Sequence, residues 1–208
     1  MELIKERERV ANFMRRLYEQ KLTTASGGNV SLRVGEKVLI TASQTDKAKI
    51  IGEQVGVITL EGKNLSPRLK ISMEYKMHTA IYSKRPDVKA IVHAHPVMAT
   101  AFGIAGKTIN TGISGEFRAM LGEPVLAPYA LMGTQDLADA VSDAALGSNV
   151  VVMENHGVLA VGKTLFQAYD RMEVLEACAR MNFITGLLGN TKTLTQTELQ
   201  AIDQLFND

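Results

Sequence analysis

Tryptophan is absent from this 208-residue sequence, and cysteine occurs once, as Cys178. A single cysteine excludes an internal disulfide and fits a reducing compartment. Within Val174-Leu175-Glu176-Ala177-Cys178-Ala179 it stands in a helical pattern and reads as a small core residue. Charge of one sign is missing too. Lys and Arg total 23 against 22 Asp and Glu, a net charge of +1, which gives no sequence-independent attraction to a phosphate backbone or an anionic lipid surface. Nucleic acid and membrane partners are therefore not expected. Nor is there a long apolar run: residues 90–106 are the longest stretch without Asp, Glu, Lys or Arg, and they include two histidines and a proline. That stretch falls short of a membrane span of about 20 apolar residues and reads as buried strand, turn and helix. Met1 to Arg9 interleaves acids with bases and no apolar stretch follows, so no signal peptide is expected and the chain is assigned to the cytoplasm.

What is there is a chain that is 46% hydrophobic, enough for one compact core, and a single domain over residues 1–208 is expected. Leu3, Val10, Phe13, Met14 and Leu17 share one face of a helix over residues 3–21. Short β-rich runs at 30–34, 38–41 and 55–60, each bounded by Gly, Asn, Ser or Asp, read as strands, and 61–71 as a loop. Ser72 is placed to cap a helix running to Lys84, with Glu74 in its first turn, and Pro86-Asp87 breaks that helix before a strand at 88–93. Pro96 opens another helix, 123–127 is a strand, Thr134 caps a helix through Leu146, and 149–153 and 158–161 are the last strands. Thr164 with Gln167 and Thr195 with Glu198 resemble capping boxes, opening helices that end at Gly189 and Phe206. Several strands follow one another by turns too short for a parallel crossover. The fold class is therefore α/β or α+β: one layered domain with a largely antiparallel central sheet covered by helices.

The chemistry concentrates on few residues. His93-Ala94-His95 ends the apolar strand, and a two-residue period points both imidazoles to one side, where they can share a metal, although an H-x-H pair alone is also a common structural arrangement. His156 sits on an Asn-His-Gly turn after another strand, where glycine frees the backbone and the ring can project from the sheet edge. Three histidines leave a fourth zinc position open for substrate oxygens, as catalytic sites do. Glu74 alone fits equally a dipole-favoured surface acid at a helix start. His78, four residues on, fits either a structural place in the helix or a contact with the site; the spacing is not the H-E-x-x-H pattern of zinc proteases. Ser26-Gly27-Gly28-Asn29 can form a concave anion cradle or an ordinary turn.

Taken together, Ser26-Gly27-Gly28-Asn29-Val30-Ser31, Ile40-Thr41-Ala42-Ser43, Glu74-Tyr75-Lys76-Met77-His78, Val92-His93-Ala94-His95-Pro96 and Glu154-Asn155-His156-Gly157 resemble the class II aldolase/adducin family. The resemblance spans nearly the whole chain in the family's motif order. It implies that His93, His95 and His156 bind one Zn2+ per subunit, that Glu74 is the acid/base, and that Asn29 with Gly28, Ser43 and Ser72 holds a substrate phosphate. It further implies homotetramers with active sites between neighbouring subunits. Two places depart from the family pattern, which has a glycine after Ser43 and a second small hydroxyl residue before the acid: here they hold Gln44 and Met73. Arg68 and Lys70 could replace the lost phosphate contacts with charge-assisted bonds or could be solvated surface. No tyrosine-bearing tail closes the chain, which reads Leu205-Phe206-Asn207-Asp208.

The resemblance makes the leading expectation a zinc-dependent retro-aldol lyase. It would cleave a small ketose phosphate to dihydroxyacetone phosphate, or a similar fragment, and an aldehyde through a zinc-stabilised enediolate. Glutamate at the acid/base position favours this over a sugar-phosphate 4-epimerase, whose counterpart is aspartate. A dehydratase or decarboxylase on the same zinc logic stays open. The adducin head, an interaction module without metal chemistry, is opposed by the joint presence of His93, His95, His156 and Glu74.

Overall fold

The computed structural model describes residues 3–206; Met1, Glu2, Asn207 and Asp208, the ends of the terminal stretches read above, lie outside the described residues. Helix α1 (Ile4–Glu19) is the amphipathic segment expected at 3–21, and it buries Val10, Ala11, Met14 and Leu17. Seven strands follow among the described residues: β1 (Asn29–Val34), β2 (Lys37–Thr41), β3 (Val55–Thr59), β4 (Ala90–Ala94), β5 (Val125–Ala127), β6 (Val150–Met153) and β7 (Val158–Gly162). They form one sheet in the order β3-β2-β1-β4-β7-β6-β5. Every pairing is antiparallel except β5 with β6, so the mixed, largely antiparallel sheet is as expected.

Side-chain alternation divides the sheet between two cores. Val30, Leu32, Ala90, Val92, Ala94 and Ala160 pack with α1, α3 (Val97–Ile104) and α6 (Leu165–Leu188). Val38, Ile40, Ile91, Leu159 and Val161 pack with α2 (Tyr75–Lys84) and α5 (Gln135–Gly147). On β1 the second face is polar: Asn29 and Ser31 alternate with Val30 and Leu32, and Asn29 stands directly opposite His93 in the ladder. Those two residues therefore point the same way, toward α2.

Helix α2 begins at Tyr75, with Glu74 rather than Ser72 at its N-cap position, a correction with a local cause. Ser43 N donates to Lys70 O at 2.8 Å and Ala42 bridges to Ile71, which keeps the chain extended through residue 71. Residues 72–74 then close a turn through Tyr75 N and Ser72 O at 3.2 Å, leaving Glu74 at the N-cap position instead of in the first turn. Ser72 Oγ accepts from Glu74 N at 3.3 Å inside that turn. A short helix, α4 (Gly115–Leu121), had no counterpart in the sequence reading. It is too short for a periodic signal and is tied to α7 (Gln196–Phe206) by Arg118, whose guanidinium donates to both carboxylate oxygens of Asp203 at 2.7 and 2.6 Å.

The segment after His95 is anchored from a distance. Glu176 on α6, only 8% exposed, accepts from Met98 N at 3.0 Å and Ala99 N at 2.9 Å. This satisfies two of the donors that a helix start leaves open and places a carboxylate at the positive end of α3. The capping box at α7 forms, Thr195 and Glu198 exchanging bonds in both directions, whereas at α6 Thr164 Oγ1 accepts from Gln167 N at 3.1 Å but the Gln167 side chain accepts from Lys163 N at 2.7 Å, one residue before the expected partner. No helix among the described residues is long and apolar enough to cross a membrane.

Candidate functional site

Three imidazoles converge where β4 ends beside the β6–β7 turn. His93, fully buried on β4, donates from Nδ1 to Val158 O at 2.9 Å. The strand pairing thereby fixes its tautomer and leaves the Nε2 lone pair facing the cluster. His95 lies one residue past β4, held by its own N–H to Leu22 O at 3.0 Å. His156 rides the turn in which Asn155 adopts a left-handed φ of 51° and Met153 N donates to Gly157 O at 2.8 Å. A Cβ on Gly157 would lie 2.7 Å from both Ala94 O and His95 Cδ2, so only glycine lets this turn approach the end of β4.

Ring centroids are 4.7 Å apart for His93 and His95, 5.0 Å for His93 and His156, and 5.8 Å for His95 and His156. One ligating atom from each can be chosen so that all lie within 4.8 Å of one another. His156 Nδ1 is buried without a partner, and His93 Nε2 and His156 Nε2 face only the carboxylate of Glu74, which leaves these ring nitrogens short of the partners that buried polar atoms normally have. Three ring nitrogens that can meet around a common point beside an open pocket suit a tetrahedral metal with one exchangeable position. Burial, followed by the charges at His93 and His156, pushes His95 down to about 3 and keeps its lone pair free.

Glu74 faces this cluster with carboxylate oxygens 3.2 Å from His93 Nε2 and 2.9 Å from His156 Nε2. Burial acts to raise its pKa, but the imidazoles, His93 foremost, outweigh burial and hold the carboxyl ionised well below the usual range. The pull is mutual. Burial lowers the pKa of His93, and the Glu74 carboxylate more than reverses that. Asn29 completes the support of Glu74, donating from Nδ2 to Oε2 at 2.7 Å.

A pocket of about 330 Å³ opens over these groups. Gly28, Asn29, Ser43, Ser72, Glu74, His95 and His156 all line it, so the expected site residues meet in one place; His93 lies buried and does not line it. Gly28 has a φ of +68°, and a Cβ there would lie 2.6 Å from His93 O, so the Ser26–Asn29 loop packs directly on β4. Ser43 Oγ donates to Ile71 O at 3.1 Å, which steadies the opposite wall. Gln44 and Met73 also line the pocket, as does Lys70. Arg68 does not. It lines a separate surface hollow with Arg7 and Glu53, which leaves Lys70 as the basic residue of that pair at the site.

Lys47, which the sequence reading did not single out, also lines the pocket. It is 2% exposed, and its Nζ donates to Ala42 O at 2.7 Å and Thr45 Oγ1 at 2.9 Å; burial lowers the ammonium to about 8. Nothing in its local sequence separates it from a surface lysine. His78 is fully buried and off the pocket, with burial and then His93 pushing it down to about 3. It reaches the site indirectly, Nε2 to Asn29 Oδ1 and Nδ1 to Ser31 Oγ at 2.7 Å. Ser31 and Tyr82, joined at 2.8 Å, were missed. The alternation of Asn29 and Ser31 along a strand that the fold buries was the available signal.

Comparison with known proteins agrees with this geometry. The family described as Class II Aldolase and Adducin N-terminal domain matches residues 8–183. A 5-deoxy-D-ribulose 1-phosphate aldolase of Bacillus thuringiensis is 30% identical over 99% of this chain and 97% of its own. A 3-oxo-tetronate 4-phosphate decarboxylase of Haemophilus influenzae is 30% identical over 95% and 96%. A solved L-fuculose 1-phosphate aldolase superposes with a TM-score of 0.91 at 27% identity, covering 97% of this chain and 96% of that one. The chain belongs to the class II aldolase and adducin family and is an enzyme of its aldolase kind.

Proposed function

We propose that this enzyme is a zinc-dependent retro-aldol lyase that cleaves a small ketose phosphate into dihydroxyacetone phosphate, or a similar fragment, and an aldehyde. The observation that carries the reading is a buried carboxylate, Glu74, held against His93 and His156 in the wall of an open pocket. A zinc ion held by His93, His95 and His156 would supply Lewis-acid polarisation of the substrate's oxygens. The chain's own groups then share the remaining work. Glu74 takes up the proton that leaves the hydroxyl beside the breaking carbon–carbon bond and returns it to the carbanion carbon, so the proton count balances. Asn29 keeps Glu74 Oε2 in place through its 2.7 Å bond.

Gly28, Asn29, Ser43 and Ser72 are assigned to the substrate phosphate, with Lys47 and Lys70 adding positive charge on the same pocket wall. Each of the three similar proteins is named for a phosphorylated compound, which supports this assignment. We retain the homotetramer, with the open pocket completed by a neighbouring subunit, as part of the same reading.

The test incubates zinc-loaded protein with a panel of ketose 1-phosphates and their unphosphorylated parents, following the three-carbon fragment and the aldehyde. Cleavage of a phosphorylated member with little turnover of its parent is the expected result. Release of carbon dioxide from a keto-acid phosphate, with no ketose cleaved, would replace the aldolase by a decarboxylase.

A further inference from the structure

We propose that His78, backed by Ser31 and Tyr82, is a positioning residue that fixes Asn29 as a donor toward Glu74 through a one-way chain of hydrogen bonds. Each link follows from the one before. The Glu74 carboxylate can only accept, so Asn29 must turn its Nδ2 toward it, as the 2.7 Å contact shows. Asn29 Oδ1 then faces His78 Nε2, which must carry the ring proton. His78 Nδ1 is left as an acceptor and takes the Ser31 hydroxyl proton at 2.7 Å. With its one proton so used, Ser31 Oγ accepts from the Tyr82 hydroxyl at 2.8 Å, a shorter contact than that hydroxyl's 3.4 Å to Lys89 O. A flipped Asn29 amide would set its carbonyl oxygen 2.7 Å from a Glu74 carboxyl oxygen, acceptor against acceptor, and turn its N–H toward His78 Nε2. The carboxylate end sets the direction, because at the other end the Tyr82 hydroxyl has a second acceptor in Lys89 O at 3.4 Å and would serve a chain running either way.

The chain's location argues for function over packing. Tyr82 and His78 on α2 and Ser31 on β1 are 0% exposed and Asn29 is 3% exposed, packed among Ile40, Ile91, Leu159 and Val161 of the sheet face that also carries His93. Apolar residues of similar volume would fill that face without the cost of burying polar groups. The one end of the chain that reaches the pocket is the Asn29–Glu74 pair.

The functional half of this inference rests on Glu74 being the acid/base of the proposed reaction, so the test has two arms. In the first, long-range 1H–15N correlation spectra of the imidazoles read the His78 tautomer in wild-type protein, with no substrate. An Nε2–H form that is disturbed by Ser31→Ala is expected; an Nδ1–H form, or a spectrum indifferent to Ser31→Ala, overturns the chain whatever the protein catalyses. In the second, His78→Leu, His78→Gln and Asn29→Ala are compared singly and combined, on the ketose phosphate that the wild type cleaves.

His78→Leu should lower kcat by about tenfold or more with a smaller change in KM, since orientation rather than binding is lost. His78→Gln, which returns a donor nitrogen near the Nε2 position, should recover most of it. His78→Leu added to Asn29→Ala should cost nothing further. Additive losses, or a glutamine variant no better than leucine at matched thermal stability, would show that His78 only fills space. Absence of ketose cleavage by wild type, with the Nε2–H tautomer present, would instead sink the aldolase reading and leave the chain standing.

Discussion

Replacing Gly157 by alanine tests the histidine cluster through a residue that ligates nothing. The added Cβ would sit 2.7 Å from His95 Cδ2, 2.7 Å from Ala94 O and 3.3 Å from His93 Cε1. Carbon atoms in contact prefer about 3.5 Å or more, so the His95 ring and the end of β4 must retreat by roughly 0.8 Å. Overpacking of this kind costs about 1–3 kcal/mol of stability. The larger effect should fall on the metal, because ligand distances tolerate only about ±0.2 Å and the displaced ring is one of three ligands. Zinc affinity should drop by about 100-fold, or about 2.7 kcal/mol, measured by competition with a chromophoric chelator. Thermal unfolding of the metal-free protein, recorded in parallel, separates loss of ligand geometry from loss of fold. A folded Gly157→Ala protein that binds zinc as tightly as wild type would refute the placement of the metal between these rings.

Glu74→Gln removes the charge but keeps the shape and should leave zinc bound while kcat falls by roughly 100-fold to 10,000-fold; unimpaired turnover would remove Glu74 from the mechanism. Glu176→Ala strips two backbone N–H groups at the start of α3 of their acceptor and should cost about 1–3 kcal/mol in denaturant unfolding. Glu176→Gln, which keeps an acceptor, should cost less, and equal losses would argue against capping. The Cys178 thiol is pushed up to about 12 by burial, so its protonated form dominates at every pH at which the protein is handled. Only about one thiolate in 10,000 is expected at pH 8, and thiol reagents should label Cys178 only as the protein unfolds. Labelling as fast as that of a free thiol in the native state would contradict the buried placement.

Much of the site was legible because its residues announce their constraints locally. The Asn155-His156-Gly157 turn needs a left-handed residue and a glycine, and His93 and His95 stand at the end of an apolar run, so type and spacing sufficed to nominate the ligands. Glu74 was nominated as well, but its place in the first turn was wrong. The start of α2 is set by Ser43 and Ala42, residues far back along the chain that hold 70–71 extended. Lys47 and Tyr82 were invisible for a related reason, since a residue type does not reveal what will cover it.

Sequence alone therefore determined the element order, the antiparallel character of the sheet and the histidines nominated as metal ligands, because these depend on periodicity, turn chemistry and residue type over short spans. Tertiary structure decided what those residues can do together. Bringing β1 beside β4 sets Asn29 opposite His93; seating α2 on that face brings Glu74 to the imidazoles and His78 to Asn29. The ionisation of Glu74, the direction of the hydrogen-bond chain and the burial of Lys47 arise from contacts between segments distant in sequence. No local pattern encodes such contacts, because the field at a side chain is set by whichever groups the fold brings within a few ångströms of it.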